Sequence, residues 1–241
     1  LMADGGHWGK SSPLEILDAK STQWTRLQGS LDLKIHEGYP GLFLLPTGEI
    51  LMARLGFTNP GAKFGAVIEI DGDTALIRQT ESFVVPERGG ASSVMQVDDS
   101  GDVPTAKIMV FGGSGPDANA SAEVLDASPE NKNFAWRRIA DSANDRSSAT
   151  AVQLPTGEIG LVGGGPLEIE IYDPVKDQWK IGPPMSTSRQ NHSTGFLAPD
   201  GSIIAAGSEG GPPPTAEVFR PNYFELPRPI IRKIPESVRF G

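Results

Sequence analysis

Leu154-Pro-Thr-Gly-Glu-Ile159 decides the fold, because the same six letters stand at Leu45-Pro-Thr-Gly-Glu-Ile50. Ala198-Pro-Asp-Gly-Ser-Ile203 is a third copy. Asp98-Asp-Ser-Gly-Asp102 is a fourth, with a few extra residues before Ile108. Each is a Gly-containing turn between two alternating apolar runs, the pattern of a β-hairpin. The second strand of each hairpin then runs toward glycine: Val110-Phe-Gly-Gly113, Leu161-Val-Gly-Gly-Gly165 and Ile204-Ala-Ala-Gly207. The chain opens in the same phase with Met2-Ala-Asp-Gly-Gly6.

A second motif accompanies the first: Glu, an alternating apolar strand, Asp or a turn, then often Trp. It reads Glu15-Ile-Leu-Asp18 with Trp24, Glu69-Ile-Asp71, Glu123-Val-Leu-Asp126 with Trp136, Glu170-Ile-Tyr-Asp173 with Trp179, and Glu217-Val-Phe219. The glutamates stand 54, 54, 47 and 47 residues apart. Each unit therefore reads strand, Gly turn, strand, Gly pair, loop, Glu-bearing strand, turn, Trp strand. Four short antiparallel strands per roughly fifty residues predict the blade of a kelch-type β-propeller. The Gly pair would let strands crowd where a Cβ would clash, and the Trp would lay a large apolar face on the neighbouring blade. A sandwich explains short strands but not a fixed period. The length of 241 residues holds about four to five blades, so other chain segments are expected to close the ring. An open arc would expose strand edges.

Composition agrees with short elements and many turns. The chain has 29 Gly and 21 Pro among 241 residues, which excludes a helical bundle or a coiled coil. Its longest apolar runs, such as Gly41–Pro46, are far short of the roughly 20 residues that cross a bilayer. The net charge of −9 argues against nucleic-acid binding, which needs clustered Lys and Arg. The densest basic stretch, Arg228–Lys233, is interrupted by Pro and Ile. The absence of cysteine removes disulfides, thiol catalysis and Cys-type metal sites.

The last two units resemble the galactose oxidase and glyoxal oxidase family. The residues that carry this are Arg189-Gln-Asn-His-Ser193, Leu197-Ala-Pro-Asp-Gly201, Gly207, Ala216-Glu-Val-Phe219, Pro221-Asn-Tyr223 and Arg228-Pro229. The family shows an Arg-x-Tyr-His-Ser, a Leu-Pro-Asp-Gly turn, a Gly cluster, and a Pro-Asn-Tyr and Arg-Pro that lead out of the propeller. The resemblance implies a seven-bladed ring followed by an immunoglobulin-like domain. Residues 1–224 would be part of the propeller, and the Pro-rich 225–241 would lead out toward that domain. Members are radical copper oxidases, and the resemblance implies an extracellular, cell-surface or periplasmic location. They oxidise primary alcohols or aldehydes with O2 and release hydrogen peroxide. Their copper is held by two Tyr and two His, and a Trp stacks over a Tyr–Cys cross-link.

Carried over residue by residue, the resemblance places His192 on a copper ligand and Trp8 near the stacking Trp. Asn191 falls where the family has its axial Tyr, the base in substrate deprotonation. An amide cannot accept that proton as a phenolate does. The cross-linked pair and the second His would lie outside these residues, and one imidazole does not make a metal site. The sequence therefore points first to a non-catalytic module that binds a glycan or a protein through loops such as 114–121 and 208–214. The alternative is a divergent copper oxidase acting on a small alcohol or aldehyde. His7 and His36 have no partner at ligand spacing. Asp98, Asp99 and Asp102 lack the EF-hand pattern and read as turn residues. Ser92-Ser93 and Ser147-Ser148 have no triad context. Asn119-Ala-Ser121 and Asn191-His-Ser193 fit the glycosylation acceptor pattern, which is short enough to occur by chance. The repeated Glu is expected to be structural, pairing with an Arg of a neighbouring blade or with backbone.

Overall fold

The computed structural model describes residues 2–3, 14–17, 20, 22–29, 41–54, 63–86, 88–115, 117, 119–131, 133–209 and 215–227. They form five antiparallel sheets joined in chain order. The first holds β1 (Met2–Ala3), β2 (Leu14–Leu17) and β3 (Trp24–Arg26). The second holds β4 (Gly41–Leu44), β5 (Ile50–Arg54), β6 (Phe64–Asp71) and β7 (Thr74–Ser82). In the third are β8 (Ser92–Asp98), β9 (Thr105–Phe111), β10 (Ala122–Ala127) and β11 (Trp136–Ile139). The fourth comprises β12 (Ala149–Gln153), β13 (Ile159–Gly163), β14 (Glu168–Asp173) and β15 (Gln178–Pro184). The fifth has β16 (Thr194–Leu197), β17 (Ile203–Ala206) and β18 (Ala216–Phe219), followed by a 3₁₀ helix at Asn222–Glu225. Every sheet is a meander in which each strand pairs with the next in sequence.

Both exact copies of the hairpin close as the sequence predicts. Leu44 pairs with Ile50 and Gln153 with Ile159, and Gly48 and Gly157 take positive φ at the turns. In the fourth-copy turn, the Asp98 carboxylate accepts the Ser100 N–H at 3.0 Å and its hydroxyl at 2.6 Å.

Period-two alternation then assigns each strand's two faces to two different neighbours. On β9, Ile108 and Val110 pack toward the second sheet with Leu51, Val67 and Phe83. Met109 and Phe111, on the other face, pack toward the fourth sheet with Ile159, Leu161 and Tyr172. Two further apolar clusters join the first sheet to the second around Met52 and Ile68, and the fourth to the fifth around Val162 and Ile203. Among the described residues no sheet has a core of its own; each core lies between sheets. This is the face-to-face stacking of blades in a β-propeller. The first strands β8, β12 and β16 neighbour one another and so form the inner edge of the arc.

The Trp residues follow the same logic. Trp136 on β11 is 7% exposed, lies 4.6 Å from the Phe83 ring and donates its indole N–H to Thr80 Oγ1 at 3.2 Å. Trp179 on β15 packs edge-on to Phe111 and donates to the Ala140 carbonyl at 2.7 Å. Each reaches the preceding blade. Trp24 on β3 is 51% exposed, and its blade has no preceding blade among the described residues.

Candidate functional site

The loop face of the arc is built where each linker enters an inner strand. Arg88 stands just before β8, and its guanidinium is 3% exposed. It donates to the Gly112 carbonyl at 3.0 Å, the Ser121 carbonyl at 2.9 Å and Glu123 Oε1 at 2.7 Å. Burial pulls the Arg88 guanidinium below its ordinary pKa, and the Glu123 carboxylate opposes that shift. The Glu123 oxygens also accept the Val84 and Val85 N–H groups at 2.8 and 2.7 Å. One carboxylate on the third strand thus fixes the whole linker.

The next blade repeats the arrangement. Arg146 reaches Glu170 at 2.7 Å and donates to the carbonyls of Gly163 and Glu168. Glu170 also accepts the Ala143 N–H at 2.7 Å. The repeated Glu is therefore structural, as expected. Its Arg sits in the linker entering the same blade and not in a neighbouring blade. Glu69 does not join the series. It lies near the end of β6, its side chain is 48% exposed, and it pairs with Arg78 at 3.4 Å.

The glycine pairs close this face. A Cβ on Gly112 would lie 2.3 Å from the Arg146 carbonyl oxygen, and one on Gly113 2.9 Å from Arg88 Cα. Gly163 stands likewise against the linker at Ser193, and Gly164 against Ser147 of its own linker and Ala149 at the start of β12. Each pair is gripped between the linker of its own blade and that of the next, so a Cβ would clash as expected, but against linkers and not against strands.

The fifth blade varies the plan, and here the singled-out residues fall. Arg189 donates to the Gly207 carbonyl at 3.0 Å, to Thr215 O at 2.9 Å and to Glu217 Oε1 at 3.1 Å. Its buried Nε has no hydrogen-bond partner, unlike that of Arg88 or Arg146. Burial works to raise the Glu217 carboxyl. Hydrogen bonds from Ser186 and Arg189 outweigh it and hold the group below its ordinary value. The turn that follows places His192 at φ 58, with the Ser193 N–H on the Gln190 carbonyl at 3.1 Å.

Asn191 is tied twice to Glu209 across the β16–β17 hairpin. Its Nδ2 donates to Glu209 Oε2 at 2.8 Å, and its carbonyl accepts the Glu209 N–H at 2.8 Å. His192 Nδ1 stands 3.6 Å from that same carboxylate oxygen, and both side chains are more than half exposed. The structure thus brings Asn191, His192 and Glu209 together. Glu209 was missed in the sequence because nothing local links it to position 191. Trp8, His7 and His36 lie outside the described residues.

Among the described residues this donor set does not by itself complete a copper site. Among the described residues no three His, Cys, Asp or Glu side chains converge. The Asn191 amide turns its N–H, which has no lone pair for a metal, to Glu209. Cu(II) takes imidazole and anionic oxygen donors in a fixed array, and His192 with Glu209 would supply two.

No family model matches the chain. It is 25% identical to an aldehyde oxidase GLOX of Vitis pseudoreticulata over 253 residues, taking in 87% of this chain and 46% of that protein. A fungal alcohol oxidase of the AA5 family, solved in complex with copper, superposes with a TM-score of 0.68 at 22% identity. That match covers 83% of this chain and 44% of the other. The chain is galactose/glyoxal oxidase-like. It spans about half the length of the relatives it matches. The structural likeness carries the propeller fold of this oxidase-like chain.

Proposed function

We infer that the chain is part of an oxidase-like propeller of the kelch type whose loop face serves binding and not copper radical chemistry. The observation that carries this is Asn191. It stands where the resemblance calls for a proton-accepting Tyr, and its amide is engaged with Glu209. Deprotonating an alcohol needs a base with a pKa near the operating range, and a carboxamide has none. The ligand class that suits a half-buried amide beside an exposed imidazole and carboxylate is a hydroxyl-rich small molecule or glycan, or a loop of a protein partner. The resemblance places such a module outside the cell. Residues 1–224 belong to the propeller in this reading, within a seven-bladed ring. Residues 225–241 lead toward an immunoglobulin-like domain.

A second reading is favoured by the copper-bound structural likeness and the aldehyde oxidase relative. In it the remaining ligands lie outside these residues, and the protein oxidises primary alcohols or aldehydes with O2. One experiment separates the two. The full-length protein is loaded with copper, and its bound metal and its peroxide release with glyoxal, glycerol and galactose are measured. Less than one copper per chain and no peroxide release are expected. One copper per chain with peroxide release establishes the oxidase instead.

A further inference from the structure

The third strand of the fourth blade carries a polar group that its counterparts lack. Two residues after the Glu that fixes each linker stand Leu125, Tyr172 and Phe219 in the third, fourth and fifth blades. Their register matches: Leu125 lies opposite Ile108, Tyr172 opposite Ile159 and Phe219 opposite Ile203. An apolar side chain is thus enough to pack this place, and the hydroxyl of Tyr172 is an addition. The Tyr172 side chain is buried. Its O–H donates to Asp177 Oδ1 at 2.7 Å, in the turn between β14 and β15. Asp177 is exposed, and the same oxygen accepts the Ala140 N–H at 2.7 Å, which holds the carboxylate in place. Across the strand pair Tyr172 faces Trp179, with ring centroids 5.0 Å apart. Trp179 is half-buried, and its indole N–H stays on the Ala140 carbonyl. Trp136, its counterpart in the third blade, faces Leu125 and meets no phenol there. Burial and the Asp177 carboxylate hold the Tyr172 phenol above its ordinary value, so it keeps its proton at rest.

We propose that Trp179, Tyr172 and Asp177 form a one-electron relay that moves an oxidising equivalent from the surface of the fourth blade onto a single buried phenol. The oxidant is a diffusible one-electron acceptor, the class to which azidyl and carbonate radicals belong. It takes one electron from the half-buried indole of Trp179 and leaves a radical cation, whose N–H remains on the Ala140 carbonyl. Tyr172 then gives one electron to the Trp179 ring and its phenolic proton to Asp177 Oδ1. Trp179 is restored, Tyr172 becomes a neutral phenoxyl radical, and the exposed Asp177 passes the proton to water. The oxidant has gained one electron and one proton has been released. The electron and the proton must leave Tyr172 together, because the buried phenol does not ionise first. A base within hydrogen-bond reach is what such a step needs, and Asp177 supplies it at 2.7 Å. The relay spares Met109, a buried thioether in the same apolar cluster, which oxidation would turn into a polar sulfoxide. The inference rests on this blade alone and holds under either reading of the loop face.

The test is pulse radiolysis of the full-length protein with azidyl radical, following the indolyl and phenoxyl absorption bands in time. The expected result is a phase in which the indolyl band decays as the phenoxyl band rises, at a rate independent of protein concentration and slower in heavy water. Tyr172→Phe, which installs the side chain that the fifth blade carries at this place, should abolish that phase. Asp177→Asn keeps an oxygen for the Ala140 N–H but removes the base, and should slow the phase by about 100-fold. A purely structural Tyr172–Asp177 contact would move none of these readings. The proposal is overturned if the phase is absent from the parent, survives Tyr172→Phe, is unchanged in Asp177→Asn or scales with protein concentration. Should Asp177→Asn fail to fold, the heavy-water comparison on the parent decides, and equal rates in the two solvents overturn the proposal.

Discussion

The Glu170 carboxylate and the Arg146 guanidinium lie 2.7 Å apart, and neither side chain is more than 1% exposed. The pair is the bolt of the fourth blade: it joins the incoming linker, the end of β13 and the start of β14. Removing one partner leaves a buried charge uncompensated. Glu170→Gln is therefore expected to lower unfolding stability by about 3–5 kcal/mol. Glu69→Gln breaks an exposed pair and should change it by less than about 1 kcal/mol. Urea unfolding of the two variants measures the contrast. Equal losses would mean that burial of the bolt does not matter.

The second prediction concerns the glycine pairs. Gly112 and Gly157 both take positive φ, at 65° and 83°. An Ala at either site therefore bears backbone strain, of order 1–3 kcal/mol. They differ in space. A Cβ at 112 meets the Arg146 carbonyl at 2.3 Å, whereas a Cβ at 157 meets nothing within 4 Å. Gly112→Ala must push a linker aside, and its loss should exceed that of Gly157→Ala by more than about 1 kcal/mol. Thermal unfolding of the two variants gives the difference directly. Equal losses would show that the linker yields freely.

Much of this architecture was legible because its signals are contiguous. The Leu45–Ile50 and Leu154–Ile159 repeats, the Gly pairs and the alternating strands are local patterns, and local patterns set hairpins. The Arg of each bolt was not legible. It lies 24–35 residues from its Glu, in linkers of different length, so no fixed spacing marks it. Glu69 misled for the converse reason: the letters around it match the motif, but the strand register carries it past the linker to an exposed position. At the candidate site, the Asn191 departure was visible in one letter. Its tie to Glu209 needed the β16–β17 hairpin to close.

A third prediction tests how blades grip one another. Both polar groups of Ala140 are held by the following blade. Its N–H donates to Asp177 Oδ1 at 2.7 Å, and its carbonyl accepts the Trp179 indole at 2.7 Å. Trp179→Phe keeps most of the packing against Phe111 and Tyr172 and deletes the hydrogen bond. A loss of about 1 kcal/mol is expected. Trp24→Phe, on an exposed face, should cost a few tenths at most. Parallel denaturant titrations compare them.

The fourth prediction follows from acid titration of the fifth blade. The Glu217 carboxyl sits below its ordinary value of 4.5 because the Ser186 N–H and the Arg189 guanidinium favour its charged form over the opposing effect of burial. A folded-state pKa depressed in this way contributes stability that is present above the unfolded value. That contribution is lost as the pH falls through the folded value. Asp173, whose carboxyl is held down chiefly by its hydrogen bond from Lys176, has the same sign. The chain should therefore lose stability as the pH drops below about 4.5, with Glu217 loosening the linker at Ser186–Arg189. Glu217→Gln removes that titration. Its melting temperature should lie below that of the parent at pH 7, and the two curves should converge toward pH 3. Thermal melts across this range, followed by intrinsic tryptophan fluorescence, decide it. Parallel curves at all pH values would show that the Arg189–Glu217 contact carries no charge-dependent stability.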